Sequence, residues 1–135
     1  MSYSIDEIEG IGPEYKKMLA VANIQTTDDL LRECGSKSGR ANSAKISGIT
    51  ETQLLDWVNR ADLMRINGVG EEYSDLLEVA GVDTVKELAT RNAENVATAL
   101  AECNEKKQLT NRVPSAETVQ EWIDEAGTME AMVSH

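Results

Sequence analysis

The chain has 135 residues, the size of one ordinary domain, which buries roughly two-thirds of the surface its unfolded form exposes. Hydrophobic residues at 41% and charged residues at 27% are the balance of a globular protein and argue against long disorder or a collagen-like repeat. The 24 Asp and Glu against 13 Lys and Arg give a formal charge of −11, a field that taken whole repels phosphate backbones and anionic membranes.

The N-terminal stretch lacks a basic segment followed by an apolar one, and no apolar run approaches the roughly 20 residues of a membrane span, so a cytoplasmic location is expected. Ile8-Glu9-Gly10-Ile11-Gly12-Pro13-Glu14-Tyr15 comes next, and it returns 58 residues later as Ile66-Asn67-Gly68-Val69-Gly70-Glu71-Glu72-Tyr73. The match runs on to Leu31 and Ala89 with ten identical pairs, among them Leu19/Leu77, Val21/Val79, Ala22/Ala80, Thr26/Thr84 and Leu30/Leu88. Tyr15, Met18, Leu19 and Ala22 lie at i, i+3, i+4 and i+7, as do Tyr73, Leu76, Leu77 and Ala80, which predicts one apolar stripe on each of two helices. Asn23 and Gly81 mark their ends, since Asn and Gly best tolerate a left-handed residue. Thr50 with Gln53 and Thr84 with Glu87 read as capping boxes, and Asn92 and Ser115 as further N-caps. Trp57 and Trp122 close the repeats 65 residues apart, so the second copy carries about seven extra residues, placed between 95 and 115. Period-2 alternation is lacking throughout, and the fold class expected is all-α, with about five short helices per repeat. The halves are residues 1–62 and 63–135, packed as one compact unit, with a C-terminus that frays.

Each Gly-x-Gly segment predicts a tight turn between two helices, both glycines taking angles or approaches closed to a residue with a Cβ. Such a turn leaves N–H groups of the next helix pointing outward, where the helix dipole favours an anion such as a phosphate. That contact positions a duplex without reading its sequence. Ile-x-Gly-Ile/Val-Gly leading into Tyr-x-x-x-Leu resembles the helix-hairpin-helix motif of DNA polymerases, ligases, repair nucleases and recombinases. From Ile5 to about Ala126 the chain is similar to a bacterial family of tandem helix-hairpin-helix proteins of unknown function. The residues 61–66, Tyr73 to Leu88 and Pro114 to Ile123 carry the closer likeness.

The resemblance implies a nucleic-acid interface at the first hairpin, made of Gly10, Ile11, Gly12, Lys16 and Lys17 with Lys37, Arg40 and Lys45, and a second hairpin at Gly68, Val69 and Gly70. Where DNA-binding members carry small or basic residues after the second glycine, this chain has Pro13-Glu14 and Glu71-Glu72. A carboxylate about 4 Å from a phosphate costs on the order of 1 kcal/mol in water and several times more near a protein surface. Residues 1–62 carry −3 and residues 63–135 carry −8, so the charge weighs against the second hairpin more than the first. The stretch from Cys34 to Thr50 has no acid, and Lys106, Lys107 and Arg112 form a smaller basic cluster.

Plainer readings stand beside these. The hairpins serve as packing turns alone, Lys37, Arg40 and Lys45 as a solvated face, Tyr15, Tyr73, Trp57 and Trp122 as core anchors, and Glu71, Glu72 and Asp75 as a solvated helix start. Cys34 and Cys103 have no Cys-x-x-C company and read as reduced thiols. With one histidine, His135, and no catalytic or zinc motif, neither enzyme activity, nor a metal, nor a cofactor is expected. Two functions remain: sequence-independent binding of double-stranded DNA or another nucleic acid, and a protein-interaction scaffold whose acidic second repeat engages a basic protein partner.

Overall fold

A computed structural model describes residues 2–135. Among them the chain is all-helical, with eight α-helices: α1 Pro13–Val21, α2 Thr27–Cys34, α3 Lys37–Ser47, α4 Glu51–Leu63, α5 Glu71–Val79, α6 Val85–Leu88, α7 Ala93–Lys107 and α8 Ala116–Ala126. A 3-10 turn at Ile5–Glu7 precedes them, so each repeat holds four α-helices rather than five. Ser4 and Thr26 form an isolated antiparallel bridge.

Side-chain caps start most of these helices. Thr26, Ser36, Thr50, Thr84, Asn92 and Ser115 each accept a hydrogen bond from the backbone N–H three residues on. The reciprocal capping box, expected at Thr50 and Thr84, forms instead at Thr26, where Asp29 accepts from the Thr26 N–H at 3.2 Å and the Thr26 hydroxyl from the Asp29 N–H at 3.1 Å. Asn23 and Gly81 hold the left-handed conformation expected of them, with φ of 64° and 93°.

Two apolar cores follow the repeat. Ile5, Ile8, Leu19, Ile24, Leu30, Leu54 and Trp57 pack in one; Leu63, Ile66, Leu77, Val82, Leu88, Val119 and Trp122 pack in the other. The stripe residues drive this, because each amphipathic helix buries one face and leaves the charged face in water. Two seams hold the halves together. Arg60 on α4 reaches Asp75 on α5 and lies 2.6 Å from Glu78, beside Asp56. Residues 130–135, expected to fray, run instead back onto the first half, where the Ser134 N–H donates to the Gly35 carbonyl at 2.9 Å.

The length difference between the copies is more divided than a single insertion. The N-caps of α3 and α7, Ser36 and Asn92, are 56 residues apart, whereas those of α4 and α8, Thr50 and Ser115, are 65 apart. The second copy thus shortens before α7 and lengthens after α7 has begun. The added length extends α7 and forms a loop that Asn104 braces, its amide donating to and its oxygen accepting from Thr110, both at 3.0 Å.

Candidate interaction surface at the paired hairpins

The first glycine of each hairpin makes the turn. Gly10 and Gly68 have φ of 92° and 90°, a region closed to most residues with a Cβ. The second glycine does something else, which corrects the expectation of a steric need at both. Gly12 and Gly70 are extended N-caps with φ of −91° and −103°, and a Cβ at either would meet nothing within 4 Å. These two helices, α1 and α5, are also the ones of the eight that lack a side-chain cap. Their first-turn N–H groups therefore face the exterior, shared with the carboxylates of Glu14, Glu71 and Glu72 in the same first turns.

Under each turn lies the tryptophan that closes the same repeat. A Cβ on Gly10 would stand 3.7 Å from the Trp57 indole nitrogen, and one on Gly68 would stand 3.5 Å from that of Trp122. Tyr15 meets Trp57 edge-on at 4.9 Å, and Tyr73 meets Trp122 at 5.3 Å in a tilted arrangement. The Tyr73 hydroxyl also donates to the Arg112 carbonyl at 2.8 Å, tying the longer loop to the second hairpin. The aromatic pairs act as packing anchors, with Tyr15 still 39% exposed at the rim. Ile11 and Val69, at the centre of the turns, are buried in the two cores and present only backbone to the exterior.

The basic residues do not assemble as expected. Arg40 is the clearest correction: it is buried, and its guanidinium donates to the carbonyls of Cys34 at 3.1 Å, Gly35 at 3.0 Å and Ser134 at 2.6 Å. Its position four residues past the α3 N-cap turns it inward, where those carbonyls take the charge. Lys16 is exposed but sits 3.1 Å from Asp6, whose carboxyl is held below the usual range by the Ser4 hydroxyl and then by Lys16. Lys37 and Lys45 are exposed, but eight positions along α3 separate them by about 12 Å of helix rise. Lys17 is exposed on α1.

Acidic groups converge instead. The carboxyl of Glu71, at the start of α5, is raised above the usual range by partial desolvation, then by the carboxylate of Glu9 from the first hairpin, then by those of Glu7 and Glu72. Both halves thus contribute carboxylates to one place. Glu71 and Glu72 lie exposed in the first turn of α5, as the sequence predicts, but nothing local to either repeat signals the influence of Glu7 and Glu9 on them. Among the described residues, no group of three or more His, Cys, Asp or Glu is placed to hold a metal ion.

The fold and this surface define an all-helical protein of two halves with exposed carboxylates beside both glycine turns. Residues 9–129 match a domain family of unknown function (DUF4332), and the chain belongs to that family. No curated protein and no solved structure matches it. No helix among the described residues is long and apolar enough to cross a membrane.

Proposed function

We propose that this chain is a non-catalytic docking module, whose paired hairpin loops present Glu7, Glu9, Glu71 and Glu72 to a basic protein partner. The observation that carries the reading is that Glu7, Glu9, Glu71 and Glu72 are all exposed at the two glycine turns; the Glu71 carboxyl is raised by partial desolvation and by the carboxylates of Glu9, Glu7 and Glu72. A lysine or arginine placed there relieves the repulsion, so part of the binding free energy comes from charges already crowded in the free protein. The formal charge of −11 steers such a partner from a distance. In this reading each glycine turn is a helix-hairpin-helix element, the chain is a tandem member of the bacterial group it resembles, and it works in the cytoplasm without a cofactor.

A second reading keeps nucleic acid as the partner. It is favoured by the uncapped N-terminus of α1, where Gly12 leaves open space and Lys16 and Lys17 follow. Arg40 no longer supports it, being buried.

Fluorescence anisotropy at about 50 mM salt, with a labelled Lys/Arg-rich peptide and a labelled DNA duplex, separates the two. The docking reading expects the peptide to bind, with Glu9→Gln/Glu71→Gln weakening it severalfold, and the duplex to stay unbound at tens of micromolar. Peptide affinity untouched by that double substitution sinks it. Duplex binding that Lys16→Glu/Lys17→Glu abolishes replaces it with the second reading.

A further inference from the structure

We propose that the junction of α2 and α3 is a docking site for an extended peptide segment, which residues 131–135 fill in cis and which a partner's extended segment of like chemistry takes in trans. The occupant shows what the site reads. Ser134 gives its N–H to the Gly35 carbonyl at 2.9 Å, and its carbonyl takes the Arg40 guanidinium at 2.6 Å, so one residue is held through its main chain on both sides. Val133, just before it, packs on the first core. Recognition therefore asks for an aliphatic side chain followed by a residue that keeps its N–H, in extended backbone.

Two features of the first half are shaped for this occupant. Arg40 stands four residues past the α3 N-cap; the corresponding residue of α7, four past Asn92, is Val96, and both are buried. Burying a guanidinium where the sister repeat buries a valine costs desolvation that only well-placed acceptors offset. Arg40 has no carboxylate partner among the described residues, and its acceptors are two carbonyls of the α2 end and the one of Ser134. Gly35 is the other feature: a Cβ there would collide with the carbonyl oxygens of Met132 and Leu31, so the glycine lets the segment's backbone pass.

Beyond the Arg40 guanidinium on the Ser134 carbonyl, few contacts hold the segment. Between Glu130 and His135 the Ser134 N–H makes the main-chain hydrogen bond, Met132 is 43% exposed, and Val133 is the apolar anchor. A cleft of about 710 Å³ runs beside the segment, walled on its far side by Thr84, Lys86 and Thr90 of the second half, which leaves room for an incoming chain. The site uses none of the hairpin glutamates, so its test is independent of the docking reading above.

The full chain carrying Val133→Asp/Ser134→Pro loses the anchor and the N–H. Anisotropy with a labelled peptide of residues 129–135 is expected to show this variant binding about tenfold or more tightly than wild type, whose own segment competes at high effective concentration. A peptide with proline in place of Ser134 is expected not to bind. No binding by a variant whose circular dichroism and thermal transition match wild type overturns the proposal, as does equal binding of the proline peptide. Hydrogen exchange on wild type gives a second check that needs no variant. The Ser134 amide is expected to exchange well ahead of the α4 core amides, and protection equal to theirs would make the segment a permanent part of the fold.

Discussion

Glycines with the same spacing in the sequence have different jobs in the fold. Gly10 has room for a Cβ but not the backbone angle, so Gly10→Ala is expected to cost about 1–2 kcal/mol through left-handed strain alone. Gly12 has both, and as an uncapped N-cap it gains from a hydroxyl: Gly12→Ser is expected to be neutral or to stabilise by a few tenths of a kcal/mol. Urea denaturation of the two variants checks the pair, and equal losses at both positions refute the distinction. Glu71 is the other residue whose surroundings decide its behaviour. Its folded carboxyl binds a proton more tightly than the unfolded one, so its contribution to stability is present in acid and lost as pH rises through the raised value. Glu71→Gln is accordingly expected to stabilise at pH near 7 by about 0.3 kcal/mol, the scale of like-charge pairs on helices, with no gain in acid. An equal gain at both pH values would show that repulsion is not the cause.

At the scale of elements, the two copies solve the same problem with different parts. The first N–H of α2 is taken by the backbone carbonyl of Tyr3 at 2.9 Å, from a segment that pairs with the chain entering α2. The corresponding residue of the second copy, Val85, gives its N–H at 2.8 Å to the side chain of Asp62, a buried residue on α4 that also pairs with Arg65 at 2.7 Å. The second copy begins inside a helix and has no free strand-like segment to offer, so a carboxylate replaces it. Helix starts and ends were legible in the residues themselves, because a cap acts over three or four positions: Asn92 and Ser115 cap where they were expected to. Reciprocal boxes were less legible. Thr50 and Thr84 have the right partner three residues on, yet the closing arm forms at Thr26 through an aspartate.

Across the whole molecule, the −11 resolves into a cluster of carboxylates drawn from both halves and a basic stretch whose arginine is hidden. The seam between the halves depends on Arg60, which faces Asp75, Glu78 and Asp56 at once. Burial raises the Glu78 carboxyl, against the pull of Arg60 and with the push of Asp56. Arg60→Ala leaves these carboxylates crowded and partly desolvated, with an expected loss of about 2–3 kcal/mol at neutral pH. The loss should shrink as the pH falls and the carboxylates take up protons, so thermal unfolding at two pH values is the check. A loss that does not change with pH would assign the effect to packing instead. The amino-acid sequence by itself determined the duplication, the helical class, most caps and the turning glycines, since each is set by residues within a few positions of one another or by the repeat. Tertiary structure alone decided which charges are available: the Arg40 guanidinium is buried against carbonyls that include one 94 residues away, and the Glu9 carboxylate raises that of Glu71 from the other hairpin. Desolvation and Coulomb energy depend on neighbours in space, and no local periodicity encodes them.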